Sequence, residues 1–178
     1  MKISAILALL LVVVLTSFGQ TTKSRTVKLF YPNTKLDAEV CPAKVFPVTR
    51  TIPQTASIAK ATLEQLFAGP STDEQAKGYY SDFSEATKSL LISVNVKNQA
   101  AYVNLKDLTA SATQMGNFTT SCGSSNFLGQ VESTLKQFPS IRRVYFAFEG
   151  DPAYFYDWIQ FGECPKALKN CDASNFVK

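Results

Sequence analysis

Histidine is absent from this 178-residue chain. Without an imidazole there is no Ser-His-Asp or Cys-His relay, and a common ligand of zinc is missing as well. No two of the eight glycines stand three apart and no P-loop occurs, which excludes a phosphate cradle and a KH-type RNA clamp. No two cysteines have C-x-x-C spacing; the intervals between Cys41, Cys122, Cys164 and Cys171 are 81, 42 and 7 residues, which argues against a metal site. Charge of one sign is not concentrated either. The 18 basic and 14 acidic residues leave a net charge of +4, with the basic residues scattered, so the electrostatic footprint of a nucleic-acid binder is missing. Nothing calls for a cofactor. The only hydrolytic chemistry left is of the Ser-Lys or carboxylate kind. Asp82 with Glu85, and Glu149 with Asp151, are the candidate carboxylate pairs, although each reads better as a solvated loop or a helix cap.

What is present begins with residues 1–19, where Lys2 precedes an apolar run at 6–15 and the small residues Ser17 and Gly19. This is the three-part pattern of a secretory signal peptide, and the run is short for a span that needs about 20 residues. Cleavage is expected, with no transmembrane span left in the mature chain. All four cysteines then lie in the exported part, and an even count in an oxidising compartment implies two disulfides, with three pairings open.

Along the chain, residues 26–31 alternate as a strand, and 45–52 form a second in which Pro47 favours an edge or a bulge. Thr55 is the expected cap of a helix over 56–68, with Ile58, Ala59, Thr62, Leu63, Leu66 and Phe67 on one stripe before Gly69-Pro70 stops it. Residues 71–89 read mostly as loop, with a short helical turn at 72–77. Leu90, Ile92, Val94 and Val96, then Ala101, Val103 and Leu105 after Asn98-Gln99, predict a hairpin. A loop at 106–125 carries Cys122 and the triplet Asn117-Phe118-Thr119, a glycosylation sequon on paper. Ser125 is the expected cap of a second helix over 126–138, and 141–148, apolar on both faces, reads as a central strand that Arg142 and Arg143 introduce. Gly150-Asp151-Pro152 opens a short aromatic helix through Tyr154, Phe155, Trp158, Ile159 and Phe161 to Gly162, with a second hairpin strand as the runner-up, and the tail holds Cys164 and Cys171.

Four phrases occur in fixed order: Phe46-Pro47-Val48-Thr49-Arg50-Thr51-Ile52-Pro53, Leu63-Glu64-Gln65-Leu66-Phe67-Ala68-Gly69-Pro70, Ala101-Tyr102-Val103-Asn104-Leu105 and Thr134-Leu135-Lys136-Gln137-Phe138-Pro139. Together they resemble the GerMN domain of sporulation and spore germination proteins. The resemblance implies an α+β fold like the ring-building motifs: a mixed sheet of four to five strands with two main helices packed on it. A short C-terminal helix is added here. It also implies an extracytoplasmic, secreted or envelope-associated location, and it carries no catalytic residues. From exported members that look alike, it implies Cys41 with Cys122 and Cys164 with Cys171.

The expected organisation is a signal peptide at 1–19, a GerMN-like domain at 26–150, and an aromatic helix with a disulfide-closed tail at 151–178. The expected function is a non-enzymatic binding or assembly module whose partner is an envelope protein or a cell-wall component. A secreted hydrolase of cell-wall or polysaccharide material is the alternative. Candidate contact residues are Tyr154, Tyr156 and Trp158, since Tyr and Trp supply large contact area, and Arg50 between strand and helix. The competing readings are a core or lid helix for the aromatics, and loop carbonyls as the partners of Arg50.

Overall fold

The computed structural model describes residues 23–39, 41, 44–107 and 118–176; the expected leader at 1–19 and Asn117 of the triplet lie outside them. The elements are β1 (Ser24–Tyr31), β2 (Phe46–Pro53), α1 (Ile58–Phe67), α2 (Thr72–Ala76), β3 (Leu91–Lys97), β4 (Ala100–Leu105), α3 (Ser121–Lys136), β5 (Arg143–Phe148) and α4 (Pro152–Trp158), with a 3-10 turn at Lys169–Cys171. The class is α+β, as expected. The strands, however, form two sheets rather than one: an antiparallel β1–β2 pair, and a mixed sheet in the order β3-β4-β5 with β4 and β5 parallel.

Side chains of α3 occupy the edge of β1 where a further strand would pair. Gln137, just past the end of α3, accepts from Lys28 N at 2.8 Å and donates to Lys28 O at 2.7 Å, while Thr134 Oγ1 accepts from Phe30 N at 3.1 Å. The same bonds explain why Pro47 needs no bulge. Phe30 turns its N–H away from β2, so Phe30 and Pro47 are opposite residues that exchange no backbone bonds, and a residue lacking N–H fits there.

Between the sheets lies the helix pair. α1 touches β1, β3 and α3, and α3 touches β1 and β5. Burial from two sides widens the hidden arc of each helix, so it takes in Thr62, Gln130 and Thr134 beside Leu63, Leu66, Phe127, Val131 and Leu135. These three buried polar side chains are bonded: Thr62 Oγ1 donates to Ile58 O, Gln130 Nε2 to Asn126 O, and Thr134 Oγ1 accepts from β1, whereas Asn126 Oδ1 on α3 is buried without a partner among the described residues. Rings of Phe67, Phe83, Phe118, Phe127, Phe146 and Phe155 pack through the centre in tilted and edge-on pairs at 4.7–6.0 Å.

Several boundaries differ from the sequence reading. α1 begins at Ile58 behind Ser57, whose side chain makes no capping bond; Thr55 instead accepts from Ser57 N in a turn ahead of the helix. α3 begins at Ser121 rather than at 126, because Thr120 accepts from Gly123 N and overrides the poor helix propensity of Ser121-Cys122-Gly123-Ser124-Ser125. β5 is an edge strand, not a central one: Phe146 and Phe148 lie under α3 and α4, Tyr145 on the opposite face packs beside Tyr102 where the C-terminal segment covers the sheet, and the edge N–H of Phe146 is met by the Tyr156 hydroxyl at 3.4 Å. In β3, Ile92 and Val96 are 40% and 44% exposed, since a register shift between Leu91 and Ser93 and an edge position take them off the core.

Gly69 is required at the end of α1. Its φ is +78°, and a Cβ there would stand 2.3 Å from Phe83 O. The C-terminal segment is integral rather than a loose tail. Phe176 is buried edge-on against Tyr102 at 5.4 Å, Asn95 Nδ2 donates to Asn175 O, and Leu168 is buried, so this segment covers the sheet face turned away from the helices.

Two disulfides, Cys41–Cys122 and Cys164–Cys171, leave no free cysteine among the described residues. The first ties the segment ahead of β2 to the first turn of α3. Cys41→Ser with Cys122→Ser should therefore destabilise the chain by about 4 kcal/mol, the chain-entropy figure for so long a loop. Amide exchange will show where the loss starts: residues 121–125 should lose protection before the body of α3 does.

Candidate functional site

Two places gather the side chains singled out in the sequence. At the first, β2 presents Arg50 to the junction of α1 and α2. Its Nε donates to Glu74 Oε1 at 3.0 Å, its Nη2 bonds Glu74 Oε2, and Nη2 also reaches Gly69 O at 3.4 Å. Glu74 is held in turn by α2, where Ser71 N donates to Oε2 at 2.7 Å and Ser71 Oγ accepts from Glu74 N, a reciprocal capping box. Tyr31 completes the group by donating to Leu66 O at 3.0 Å, and burial pushes its hydroxyl pKa far up.

Burial works to raise the Glu74 carboxyl, but the Arg50 hydrogen bond, the Ser71 N–H and the guanidinium charge outweigh it and hold the pKa below the ordinary value. The bond to Glu74 correspondingly raises Arg50. Arg50 thus has its loop-carbonyl role, in Gly69, and an ion pair besides. A polar cleft of about 400 Å³ opens beside it, lined by Gln65, Ser71, Gln75, Glu85 and Lys88.

At the second place, Asp151 caps α4 by accepting from Tyr154 N at 3.0 Å, and Pro152 occupies the first helical position. The helix then turns Phe155 and Ile159 inward, with Tyr156 buried beside them over the edge of β5. Tyr154 is 39% exposed and Trp158 half-buried, and both lean edge-on against Phe148 at 5.7 and 5.0 Å. The Tyr154 hydroxyl stands 3.5 Å from both carboxylate oxygens of Asp107. Tyr154 and Trp158 therefore share an accessible face, as their spacing implies, whereas Tyr156 is withdrawn from it and Arg50 lies elsewhere. Phe161, 55% exposed and stacked on Tyr156 at 6.4 Å, and Asp107 were not found from sequence. A Ser-x-x-Glu capping box at 71–74 was a legible signal for Glu74; nothing local points to Asp107.

Among the described residues, none of four clefts is lined by two carboxylates. Glu85 alone lines the Arg50 cleft, Glu163 lines one beside the Cys164–Cys171 loop, and the clefts at 23–56 and beside α1 have none. Asp151 serves as a helix cap. Among the described residues no group of three or more metal-ligating side chains occurs, and no helix is long and apolar enough to cross a membrane.

The Germane family, described as sporulation and spore germination, matches residues 28–154. The chain belongs to this GerMN (Germane) family. Among solved structures, the tandem GerMN domains of the sporulation protein GerM from Bacillus subtilis are 16% identical, covering 72% of this chain and 40% of that one, with a TM-score of 0.46. The first GerMN domain of the same protein is 18% identical over 71% of this chain and 84% of that chain, with a TM-score of 0.44. A Clostridium perfringens chain described as a lipoprotein aligns at 16% identity over 71% of this chain and 75% of its own, with a TM-score of 0.41. This member thus spans less than half the length of the tandem-domain chain. No curated protein matches the sequence.

The ion pair gives this GerMN chain a readable pH dependence. Glu74→Gln should lower stability by about 2 kcal/mol at neutral pH, the scale of a charge-assisted hydrogen bond. Because the folded-state carboxyl lies below its unfolded value, the stabilisation is complete above the ordinary carboxylate range, near ~4.3, and is lost as pH falls through the folded value. Urea midpoints of wild type and variant should accordingly converge in acid.

Proposed function

We propose that this chain is a non-enzymatic, exported binding or assembly module of the cell envelope, and that Tyr154 and Trp158 on α4 form its contact face. Its partner is an envelope protein or a cell-wall component. The reading rests most heavily on how the reactive side chains are used. Arg50, Glu74, Asp151 and Tyr156 all bond the fold itself; Tyr154, whose hydroxyl meets Asp107, and half-buried Trp158 combine partial exposure with support from Phe148 beneath. Aromatic side chains held rigidly on a packed base lose little entropy on binding, which favours them as contact residues.

Two disulfides in the described chain suit an oxidising compartment, and with the leader-like residues 1–19 they support export. The hydrolase alternative would need two carboxylates across one cleft, and among the described residues the clefts at Arg50 and beside the Cys164–Cys171 loop each hold one.

Oxidised protein lacking residues 1–19 can be immobilised and exposed to envelope extract and to isolated cell wall, alongside Trp158→Ala and Tyr154→Ala variants. Retention of a specific component should fall at least ~10-fold in both variants, the scale of a contact hot spot. Equal retention by wild type and variants would remove α4 as the contact face.

A further inference from the structure

The molecule has several strand edges, and side chains seal two of them. Gln137 and Thr134 bond the outer edge of β1, and the Tyr156 hydroxyl meets Phe146 N on β5. Among the described residues, the outer edge of β2 has only the Tyr79 hydroxyl on Pro47 O, and β3 has no such side-chain seal. It is the other edge of the three-stranded sheet, and among the described residues no group bonds the backbone of Val94 or Val96 from outside the sheet.

The hairpin turn determines which groups those are. Asn98 and Gln99 both have positive φ, 50° and 60°, as a two-residue turn demands, and Lys97 lies opposite Ala100. Residues flanking such a turn exchange both backbone bonds, and pairing alternates from there. Lys97 and Asn95 consequently bond inward to β4, while the N–H and C=O of Val94 and Val96 point outward.

Directly beside this edge is a cleft of about 310 Å³ between β3 and the start of α1, lined by Val94, Val96, Ser57, Ile58, Phe138 and Ile141. The cleft is mixed in character, with Lys60, Asn95 and Ser140 beside its apolar side chains. An open strand edge running along a cleft under a helix is the geometry by which a sheet accepts an extended peptide: backbone bonds hold the strand, and the cleft takes alternate side chains.

We infer that the β3 edge is a strand-addition site for an extended, acidic segment of a partner protein. Charge around the cleft selects the sign. Lys60 lines it, and Lys97, Arg142 and Arg143 surround the turn, against Glu64, paired with Lys60, and Asp172 near Lys97. Four cations facing two carboxylates favour an acidic segment and disfavour a second copy, which would bring two such rims together. The register shift at Leu91/Ser93 limits the open edge to residues 93–97, long enough for a short segment but a poor template for continuing the sheet between copies.

This inference rests on the binding-module reading but uses a different face from α4, so the two can fail separately. The probe is a blocked, dye-labelled heptapeptide alternating Glu with Val and Thr, with a matched peptide carrying Lys in place of Glu. Fluorescence anisotropy gives affinity, and amide exchange by NMR reports on Val94 and Val96. The acidic peptide should bind, slow exchange at those two amides, and be at least tenfold tighter than its lysine counterpart. Val96→Glu, at an exposed position, and Val96→Pro, which removes an outward N–H, should each weaken it at least tenfold. Tyr154→Ala should leave it unchanged.

The inference is overturned if no binding occurs at millimolar peptide, if both peptides bind equally, if both Val96 variants bind like wild type, or if protection appears elsewhere. Protection of Val94 and Val96 in the protein alone would mean that the edge is already covered, by a second copy if gel filtration shows a dimer and by the chain itself if it does not. Either result overturns it too. Loss of envelope retention in Tyr154→Ala with peptide binding intact would leave both proposals standing.

Discussion

Two short sheets cannot each bury a hydrophobic face without a covering layer, and here both use the same one. The α1–α3 pair is packed from one side by Val27, Leu29 and Tyr31 of β1 and from the other by the sheet that carries Val103 and Phe146. A helix buried on both sides has little room for polar groups, and apart from Asn126 Oδ1 those that remain are bonded. In α3 they are used to join the layers, because Thr134 together with Gln137 acts towards β1 as an additional strand would. Sheet separation and helix burial are therefore one constraint: an α3 that seals β1 leaves no place for a strand linking the two sheets.

The C-terminal extension solves the corresponding problem on the far side. A three-stranded sheet whose β4 is buried along its whole length needs cover on both faces. α4 covers the β5 edge through Phe155 and Tyr156, and Phe176 covers Tyr102. Two disulfides add the staples, one holding the first turn of α3 and one closing the small loop at 164–171. Most of the aromatic content of the extension is thus spent on packing, and the exposed remainder, Tyr154 and Phe161 with half-buried Trp158, is small.

Much of this was legible locally. The alternation of Val27, Leu29 and Tyr31, the stripe Leu63-Leu66-Phe67, the Asn98-Gln99 turn and the Asp151-Pro152 helix start are short-range signals, and each has the element its pattern implies. Errors arose where a neighbour overruled the local pattern. Low propensity at 121–125 implies loop, but a cap at Thr120 makes helix; two-sided apolarity at 143–148 implies a central strand, but α4 along the edge and the C-terminal segment on the Tyr145 face supply the remaining cover. Ile92 and Val96 alternate like core residues, yet an edge position and a register shift leave them exposed. At the candidate site, the spacing of Tyr154 and Trp158 correctly put them on one face, while Tyr156, equally aromatic, is buried by a backbone contact ten residues back in the chain.

The sequence by itself determined the family, the α+β class, the helix and strand periods and the exclusion of imidazole chemistry, because these depend on residue type and on spacing within a few turns of chain. Only the tertiary structure decided that five strands divide into two sheets, that Arg50 belongs to Glu74, and that the β1 and β5 edges are sealed while β3 stays open. The reason is distance along the chain. Lys28 and Gln137 are 109 residues apart, and Arg50 and Glu74 are 24 apart. No periodicity reports on partners so far removed, because what joins them is burial and hydrogen-bond satisfaction in the folded core.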